Sequence, residues 1–287
     1  NRDLLWSGED EIVGVTTGDV TLTEENTAKT HIDFVVDKID LSPPGLLNCR
    51  ALNRNLLRLE FSEKMDAKSV LDTSNYELSS VSDNQLIPVI SSFYTEDDTK
   101  TIFLLTGEMN SNATLELKVP VLKDQAGNSM DTLYNSCRFE GSVSPDTTGI
   151  KILFISPSNQ AVQITQNAKI KLSFNQPPVP QTMEENFSLI DSNSNRVPGK
   201  GEWVSPNTFV FSPDSLLAGK TSYTVNLLGK GIRNLLGIAS LQDSLVRSNF
   251  VTINPDTFGT VSGKVVINNP TDASGNLILT LWQPVEN

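Results

Sequence analysis

Acidic and amide side chains gather around one glycine of the sequence, in the segment Asp124-Gln-Ala-Gly127-Asn128 and at the nearby Asp131. Carboxylate and amide oxygens are the hard ligands that Ca²⁺ prefers, so Asp124, Asn128 and Asp131 are candidate calcium ligands. The spacing differs from that of an EF-hand loop, and a structural role explains the same residues. Gly127 can adopt the positive φ of a tight turn, while Asp124 and Asn128 hydrogen-bond the turn backbone. We favour the turn role and keep calcium as the one possible cofactor.

A second group of carboxylates, Glu60, Glu63 and Asp66, has the residue types for acid and base work, because glycosidases hold two such groups at a defined separation. In an acidic chain, clustered carboxylates usually form a solvated face, and this is the interpretation favoured here. The single histidine, His31, lies in an alternating segment and is predicted to be an exposed strand residue. No serine or cysteine elbow motif accompanies it. We therefore expect no catalytic residues and a protein that is not an enzyme.

The composition limits the classes of partner. The 287 residues include 34 acidic and 22 basic ones, which gives a net charge of -12 at pH 7. That charge repels phosphate backbones and anionic lipids, so we expect neither nucleic acid nor a membrane as partner. No stretch reaches the roughly 20 apolar residues that span a bilayer. Residues 1–30 lack the apolar core of a signal peptide, so we expect a removed signal or an internal segment of a longer chain.

The elements that must position these side chains are short strands. Apolar and polar residues alternate over runs such as 57–61 and 170–174, with the period of two that is typical of strands. Turn formers such as Ser42-Pro43-Pro44-Gly45 separate the runs. One short helical turn is expected within residues 64–71. The pattern predicts an all-β protein.

An internal repeat of about 110 residues indicates two modules. In matching order, residues 57–61 align with 170–174, residues 101–104 with 208–211, residues 115–117 with 225–227, and Phe139 with Phe250. Modules of about 100 residues built from several alternating strands have the size of immunoglobulin-like β-sandwiches. Proline-rich joints mark the boundaries of the first module at 42–144 and of the second at 145–255. Because proline stiffens such joints, we expect tandem sandwiches with stiff connections.

The two cysteines, Cys49 and Cys137, both fall in the first module. Cys49 lies in its predicted first strand and Cys137 near its last strand, and these strands adjoin in many sandwiches. A disulfide between them is one interpretation, and two separate buried thiols are the other; the sequence leaves both open. The second module has Ile155 and Ser248 at the corresponding positions, so we expect no bridge there.

Two motifs of the first module resemble bacterial Ig-like domains of the S-layer type. Phe61-Ser-Glu63-Lys-Met65-Asp66 looks like the family's FSEPMD signature, and the segment around Gly127 looks like its D-x-A-G-N turn. The second module opens in a similar way, but Asn175-Gln176-Pro177 stands in place of the acidic signature and Gly231-Ile-Arg-Asn234 in place of the acidic turn. The resemblance covers residues 42–253 and implies two tandem copies, secretion and display at a cell surface.

Both ends of the chain are similar to parts of another sandwich family. Residues 6–34 resemble the closing strands of transthyretin-like, carboxypeptidase-regulatory-type sandwiches, and residues 259–282 resemble that family's opening strands. Neither piece is long enough to bury a full core alone. We therefore predict partial β-sandwich segments at 1–41 and 256–287.

These observations predict a structural role outside the cell. We expect a non-catalytic spacer or interaction region of a secreted or cell-surface bacterial multidomain protein, whose partners are other domains of the same chain or cell-surface proteins. The alternative is an adhesin or a carbohydrate-binding accessory module with a glycan as ligand. Phe209 and Phe211 share one strand face and are predicted core residues, so Trp203 is the ring to examine for a glycan site.

Overall fold

A computed structural model of the chain describes residues 12–16, 23, 34–38, 40–95, 97–109, 113–147, 149–239 and 245–255. Within these ranges the protein consists mainly of strands, with two short helices, which confirms the predicted all-β class. No helix in the described ranges is long and apolar enough to cross a membrane. His31, the predicted segment at 256–287 and most of the predicted segment at 1–41 lie outside the described residues.

The first sandwich contains seven strands in two sheets. Its helix α1 (Ala67–Leu71) is followed by a 3-10 turn at Thr73–Asn75, and both contact the edge of the first sheet. The first sheet has the order β3-β4-β7-β6 and the second has the order β5-β8-β9. The strands are β3 (Leu46–Asn53), β4 (Leu56–Phe61), β5 (Glu77–Ser80), β6 (Val89–Phe93), β7 (Thr101–Thr106), β8 (Thr114–Lys118) and β9 (Ser136–Glu140).

The second sandwich repeats this strand order with one additional strand. Its sheets have the orders β10-β12-β15-β14 and β11-β17-β16-β13, and α2 (Pro180–Glu185) occupies the place of α1. A 3-10 turn lies at Gly229–Gly231. The strands are β10 (Ile152–Ser156), β11 (Ala161–Ile164), β12 (Ile170–Phe174), β13 (Phe187–Asp191), β14 (Gly199–Ser205), β15 (Thr208–Pro213), β16 (Ser222–Leu227) and β17 (Val246–Thr252).

Each sandwich has its own hydrophobic core, because the alternating residues of both sheets point between them. Leu57, Leu59 and Phe61 of β4 are fully buried in the first core, as are Ile170, Leu172 and Phe174 of β12 in the second. Phe209 and Phe211 are also buried there, which confirms their prediction as core residues. The exact module boundaries at 42–144 and 145–255 stay predictions.

Outside the sandwiches, β1 (Ile12–Thr16) and β2 (Phe34–Lys38) form an antiparallel pair. Residues 1–253 group into one compact unit and residues 254–287 into another. Of this second unit, only Asn254 and Pro255 are described.

The strand register corrects one part of the predicted repeat. Leu78 of β5 pairs with Leu117, and its counterpart Leu189 of β13 pairs with Val225. Leu117 therefore corresponds to Val225 and not to Leu227, so the alignment of residues 115–117 with 225–227 is wrong by two residues. A shift of two leaves the alternation of buried and exposed positions unchanged, which is why the sequence pattern does not reveal it.

Candidate functional site

The turn that follows β8 in the first module is held together by its own side chains. Asp124 is 1% exposed, and its carboxylate accepts hydrogen bonds of 2.8 Å from both the backbone N and the Nδ2 of Asn128. Gly127 has a φ of 94°, a conformation that glycine adopts without a steric penalty. Asn128 Nδ2 also donates to the carbonyl oxygen of Asp40, at 3.0 Å. The side chain of Asn128 therefore connects the turn to Asp40, which lies just before the first module.

The structure gathers a different set of acidic groups from the one predicted as calcium ligands. Carboxylate oxygens of Asp40, Glu63 and Asp124 all lie within 4.8 Å of one another. Asp131 is not part of this cluster, and its carboxylate accepts the backbone N–H of Leu133 at 2.8 Å. The cluster forms because residues 65 and 124 make a β-bridge that brings the end of β4 beside the turn. Calcium bound by Asp124, Asn128 and Asp131 stays a prediction, and Asp40 and Glu63 lie beside Asp124 as further carboxylates.

The remaining carboxylates of the second group, Glu60 and Asp66, have local structural contacts. Asp66 caps α1, where its Oδ2 accepts the backbone N–H of Ser69 at 2.7 Å. Glu60 forms a surface ion pair of 2.8 Å with Arg58. Within the described residues neither Glu60 nor Asp66 belongs to the cluster around Glu63, and the interpretation of the three carboxylates as a solvated face stays a prediction.

The second module carries the same turn with amides in place of carboxylates. Asn234 is fully buried, and its Oδ1 accepts the backbone N–H groups of Leu236 and Ile238 at 3.0 and 2.8 Å. Its Nδ2 donates to Oε1 of the buried Gln176 at 3.4 Å, and Gly237 has a φ of 81°. Residues 234–238 are thus the counterpart of residues 124–128. The expectation that Gly231-Ile-Arg-Asn234 replaces the acidic turn is wrong in its position, because only Asn234 belongs to the turn and Gly231 ends the preceding 3-10 turn.

Cys49 and Cys137 are joined by a disulfide with an S–S distance of 2.01 Å and a Cα–Cα distance of 6.2 Å. The bridge connects β3 of the first sheet to β9 of the second. At the corresponding place in the second module, Ser248 of β17 donates from Oγ to the carbonyl oxygen of Pro157, at 3.3 Å. The first module therefore closes this side of the sandwich with a covalent bond.

Trp203 packs into the second core. Its ring lies 5.3 Å from that of Phe209 and 6.3 Å from that of Phe174, and its Nε1 donates to Oε1 of Glu184 at 3.1 Å. On the same strand, a Cβ at Gly201 would lie 2.4 Å from the Phe209 ring, so glycine makes room for that ring. Trp203 is consequently a partly buried residue of the second core, held by its neighbouring side chains.

Three groups with a shifted pKa serve the fold. Burial raises the pKa of Tyr76, whose hydroxyl donates to the carbonyl oxygen of Val70 at 2.7 Å. The Arg138 side chain, hydrogen-bonded at 2.8 Å, lowers the pKa of Glu116. Hydrogen bonds within a turn, first from the Asn195 backbone, lower the pKa of Asp191. Each shift arises from packing or from a local hydrogen bond.

Sequence reasoning missed the contact between the two modules. Asn207, between β14 and β15, is fully buried, and its Nδ2 donates to the carbonyl oxygens of Tyr94 and Phe174, both at 2.9 Å. Beside it, Lys171 Nζ lies 3.8 Å from Asp97 Oδ2. The sequence marks residues 205–207 as a turn, but no spacing rule links them to a loop more than a hundred residues away. The amide of Asn207 thus bridges the first module and the end of β12.

Comparison with known proteins supports the domain class for one module. Residues 146–252 match the family model described as a bacterial Ig-like domain. No curated protein matches the chain. The family assignment of the first module and of both ends stays a prediction.

Several solved structures are similar over part of the chain. The N-terminal part of the bacterial S-layer protein SbsC has 12% identity and a TM-score of 0.33, over 74% of this chain and 45% of that one. An L,D-transpeptidase from Mycobacterium smegmatis has 14% identity and a TM-score of 0.28, over 37% and 41%. CopC from Methylosinus trichosporium OB3b has 17% identity and a TM-score of 0.29, over 38% and 99%. The chain spans less than half of the S-layer and transpeptidase structures, and likenesses this distant carry no argument about activity. What the comparisons identify is a bacterial Ig-like domain at residues 146–252.

Proposed function

We propose that this chain is a non-catalytic spacer or interaction region of a secreted or cell-surface bacterial protein, in which two sandwiches are held at a fixed angle. The observation that carries the proposal is the Asn207 bridge. If the modules separated, the hydrogen bond from this buried amide to the Tyr94 carbonyl would be exchanged for hydrogen bonds to water, and a protein hydrogen bond is worth about 0.5 to 1.5 kcal/mol net. The cost of separation favours one arrangement over a loose string of domains.

The disulfide supports an extracellular location. Disulfides persist in oxidising compartments and are rare in the reducing cytosol. A bridge that joins the two sheets of the first module suits a domain exposed to mechanical load or proteases outside the cell. Bacterial Ig-like domains are also the class matched by the second module.

The proposed partners are other domains of the same chain or cell-surface proteins. The proposed role is to hold these partners at a fixed spacing. Two docked sandwiches would hold the first strand of the first module and the last strand of the second at a set separation. Two carboxylates with a lowered pKa, Glu116 and Asp191, stabilise a strand pair and a turn, as a structural role requires. No catalytic step is part of the proposal.

Pulsed electron paramagnetic resonance on the full chain tests the fixed angle. Spin labels at the exposed positions of Gln85→Cys and Ser192→Cys report the distance between the modules. We expect a narrow distance distribution in the native background and a clearly broader one after Asn207→Ala. Asn167→Ala, which removes an exposed asparagine of the same module, serves as the matched control. A distribution that is already broad before the Asn207 substitution contradicts the spacer proposal.

A further inference from the structure

Two neighbouring cavities lie where the modules meet. One has a volume of about 410 Å³ and the other about 220 Å³, and both are lined by Asp97, Lys171 and Ser173. We call the combined space the junction groove. Its walls come from the loop after β6 in the first module and from the outer face of the β10-β12-β15-β14 sheet in the second, so it exists only while the modules are docked. The side chains that matter for its chemistry are Tyr94, Asp97, Phe154, Lys171, Ser173 and Thr208.

Hydroxyl groups on one wall retain hydrogen-bonding capacity. Ser173 Oγ and Thr208 Oγ1 lie 3.0 Å apart and share one hydrogen bond. Since each hydroxyl carries one proton and two lone pairs, this bond leaves one proton and several lone pairs available. Burial, and to a smaller extent the Asp97 carboxylate, raises the pKa of Tyr94, so its phenol is neutral at neutral pH and can donate or accept.

The charges in the groove balance each other. Lys171 and Asp97 are 3.8 Å apart, a distance that is too long for a good hydrogen bond. The carboxylate, with its side chain 85% exposed, offers acceptor sites, and the ammonium group offers three donors. A ligand without net charge can use both, whereas a polyanion would meet the field of a chain with a net charge of -12.

Apolar surface completes the groove. Phe154 is 50% exposed and Leu153 is 48% exposed, and both line the larger cavity. A half-exposed aromatic ring beside donors and acceptors of both kinds suits a ligand that has an apolar face and a rim of hydroxyl groups. A pyranose ring has this combination.

We propose that the junction groove binds a segment of a neutral oligosaccharide. Phe154 would contact the apolar face of one pyranose ring, while Asp97, Lys171 and the Ser173–Thr208 pair hydrogen-bond its hydroxyl groups. This goes beyond the spacer role. Because both modules contribute walls, the bound sugar also stabilises their docked arrangement.

Isothermal titration of the full chain tests this inference, with cellotetraose, maltotetraose and chitotetraose as probes. At least one of them is expected to bind, and Phe154→Ala and Asp97→Asn are each expected to weaken that binding by about tenfold or more. Both side chains are half or more exposed, so both variants should fold. Tyr134→Ala removes an exposed aromatic ring outside the groove and should bind as the native chain does.

Two results overturn the proposal: none of the three sugars binds the native chain, or the Phe154 and Asp97 variants bind with native affinity. Neither result affects the spacer proposal, because the distance measurement between the modules is made without any sugar.

Discussion

The two modules share a strand order but attach their first strand to their last strand in different ways. In the first module, β3 stays in one sheet for 8 residues, and the disulfide joins it to β9 in the other sheet. In the second module the chain changes sheets after β10, and β11 pairs in parallel with β17. The backbone N of Ile253 donates to the carbonyl oxygen of Ile164 at 2.8 Å in this pairing. The first module therefore joins its first and last strands by a covalent bond, and the second module joins them by hydrogen bonds between parallel strands.

A second difference concerns charge. The first module places carboxylates where the second places amides, with Glu63 and Asp124 matched by Gln176 and Asn234. The first module should therefore respond to reductant and to cations at positions where the second has no disulfide and no carboxylate.

The largest effect is expected from breaking the disulfide. The bridge spans 88 residues, and a loop of that length restricts the unfolded chain by about 4 to 5 kcal/mol. Dithiothreitol should therefore lower the free energy of unfolding of the first module by an amount of this order. Hydrogen exchange read by mass spectrometry, peptide by peptide, measures each module in one sample. The second module has no cysteine and is the internal control. An equal loss of protection from hydrogen exchange in both modules would contradict the prediction that the disulfide stabilises only the first module.

Calcium should distinguish the acidic turn from its amide counterpart. If Asp40, Glu63 and Asp124 hold Ca²⁺, a concentration of a hundred times the Kd stabilises the first module by about 2.7 kcal/mol relative to a chelator. Glu63→Gln should remove this response in thermal unfolding, because it makes the site more like the second module. Asp131→Asn is the matched control, since the structure places Asp131 outside the cluster. Loss of the response in the control instead would favour the ligand set predicted from sequence.

The two turns should respond equally to loss of their glycine. Gly127 and Gly237 have φ angles of 94° and 81°, and a Cβ at either position would meet open space. Replacement by alanine therefore costs about 1 to 2 kcal/mol of backbone strain alone, and the cost should match in the two modules. Denaturant unfolding of Gly127→Ala and Gly237→Ala compares them directly. Clearly unequal losses would mean that residues 124–128 and 234–238 are not equivalent turns.

The period of a strand explains which features of the fold can be predicted from the sequence and which cannot. Alternation correctly places Leu57, Leu172 and Phe209 in cores, because a period of two separates inside from outside. Alternation cannot detect a shift of two residues, so the alignment of residues 115–117 with 225–227 is wrong. The acidic cluster and the Asn207 bridge depend on contacts between distant segments, and no local pattern encodes those. The positions of Cys49 and Cys137 in the chain make a disulfide possible, but only the packing of the two sheets shows that they pair.

The smallest effect is expected at a surface pair of β8 and β9. Glu116 and Arg138 face each other and are bonded at 2.8 Å, whereas their counterparts Thr224 and Asn249 form a neutral hydrogen bond of 2.8 Å. Arg138 lowers the folded pKa of Glu116, so the stabilisation by this pair is present above the unfolded pKa and is lost as pH falls through the folded one. Salt screens such exposed pairs, and their contribution is at most about 1 kcal/mol.

Glu116→Gln should therefore destabilise the first module slightly at pH 7 and low salt, and much less at low pH or in 1 M salt. Thr224→Val, which removes the neutral partner in the second module, should have an effect that depends on neither pH nor salt. Denaturant midpoints measured at two pH values and two salt concentrations separate the cases. A Glu116→Gln effect that persists at low pH and high salt would show that packing of the side chain, and not its charge, accounts for the difference between the modules.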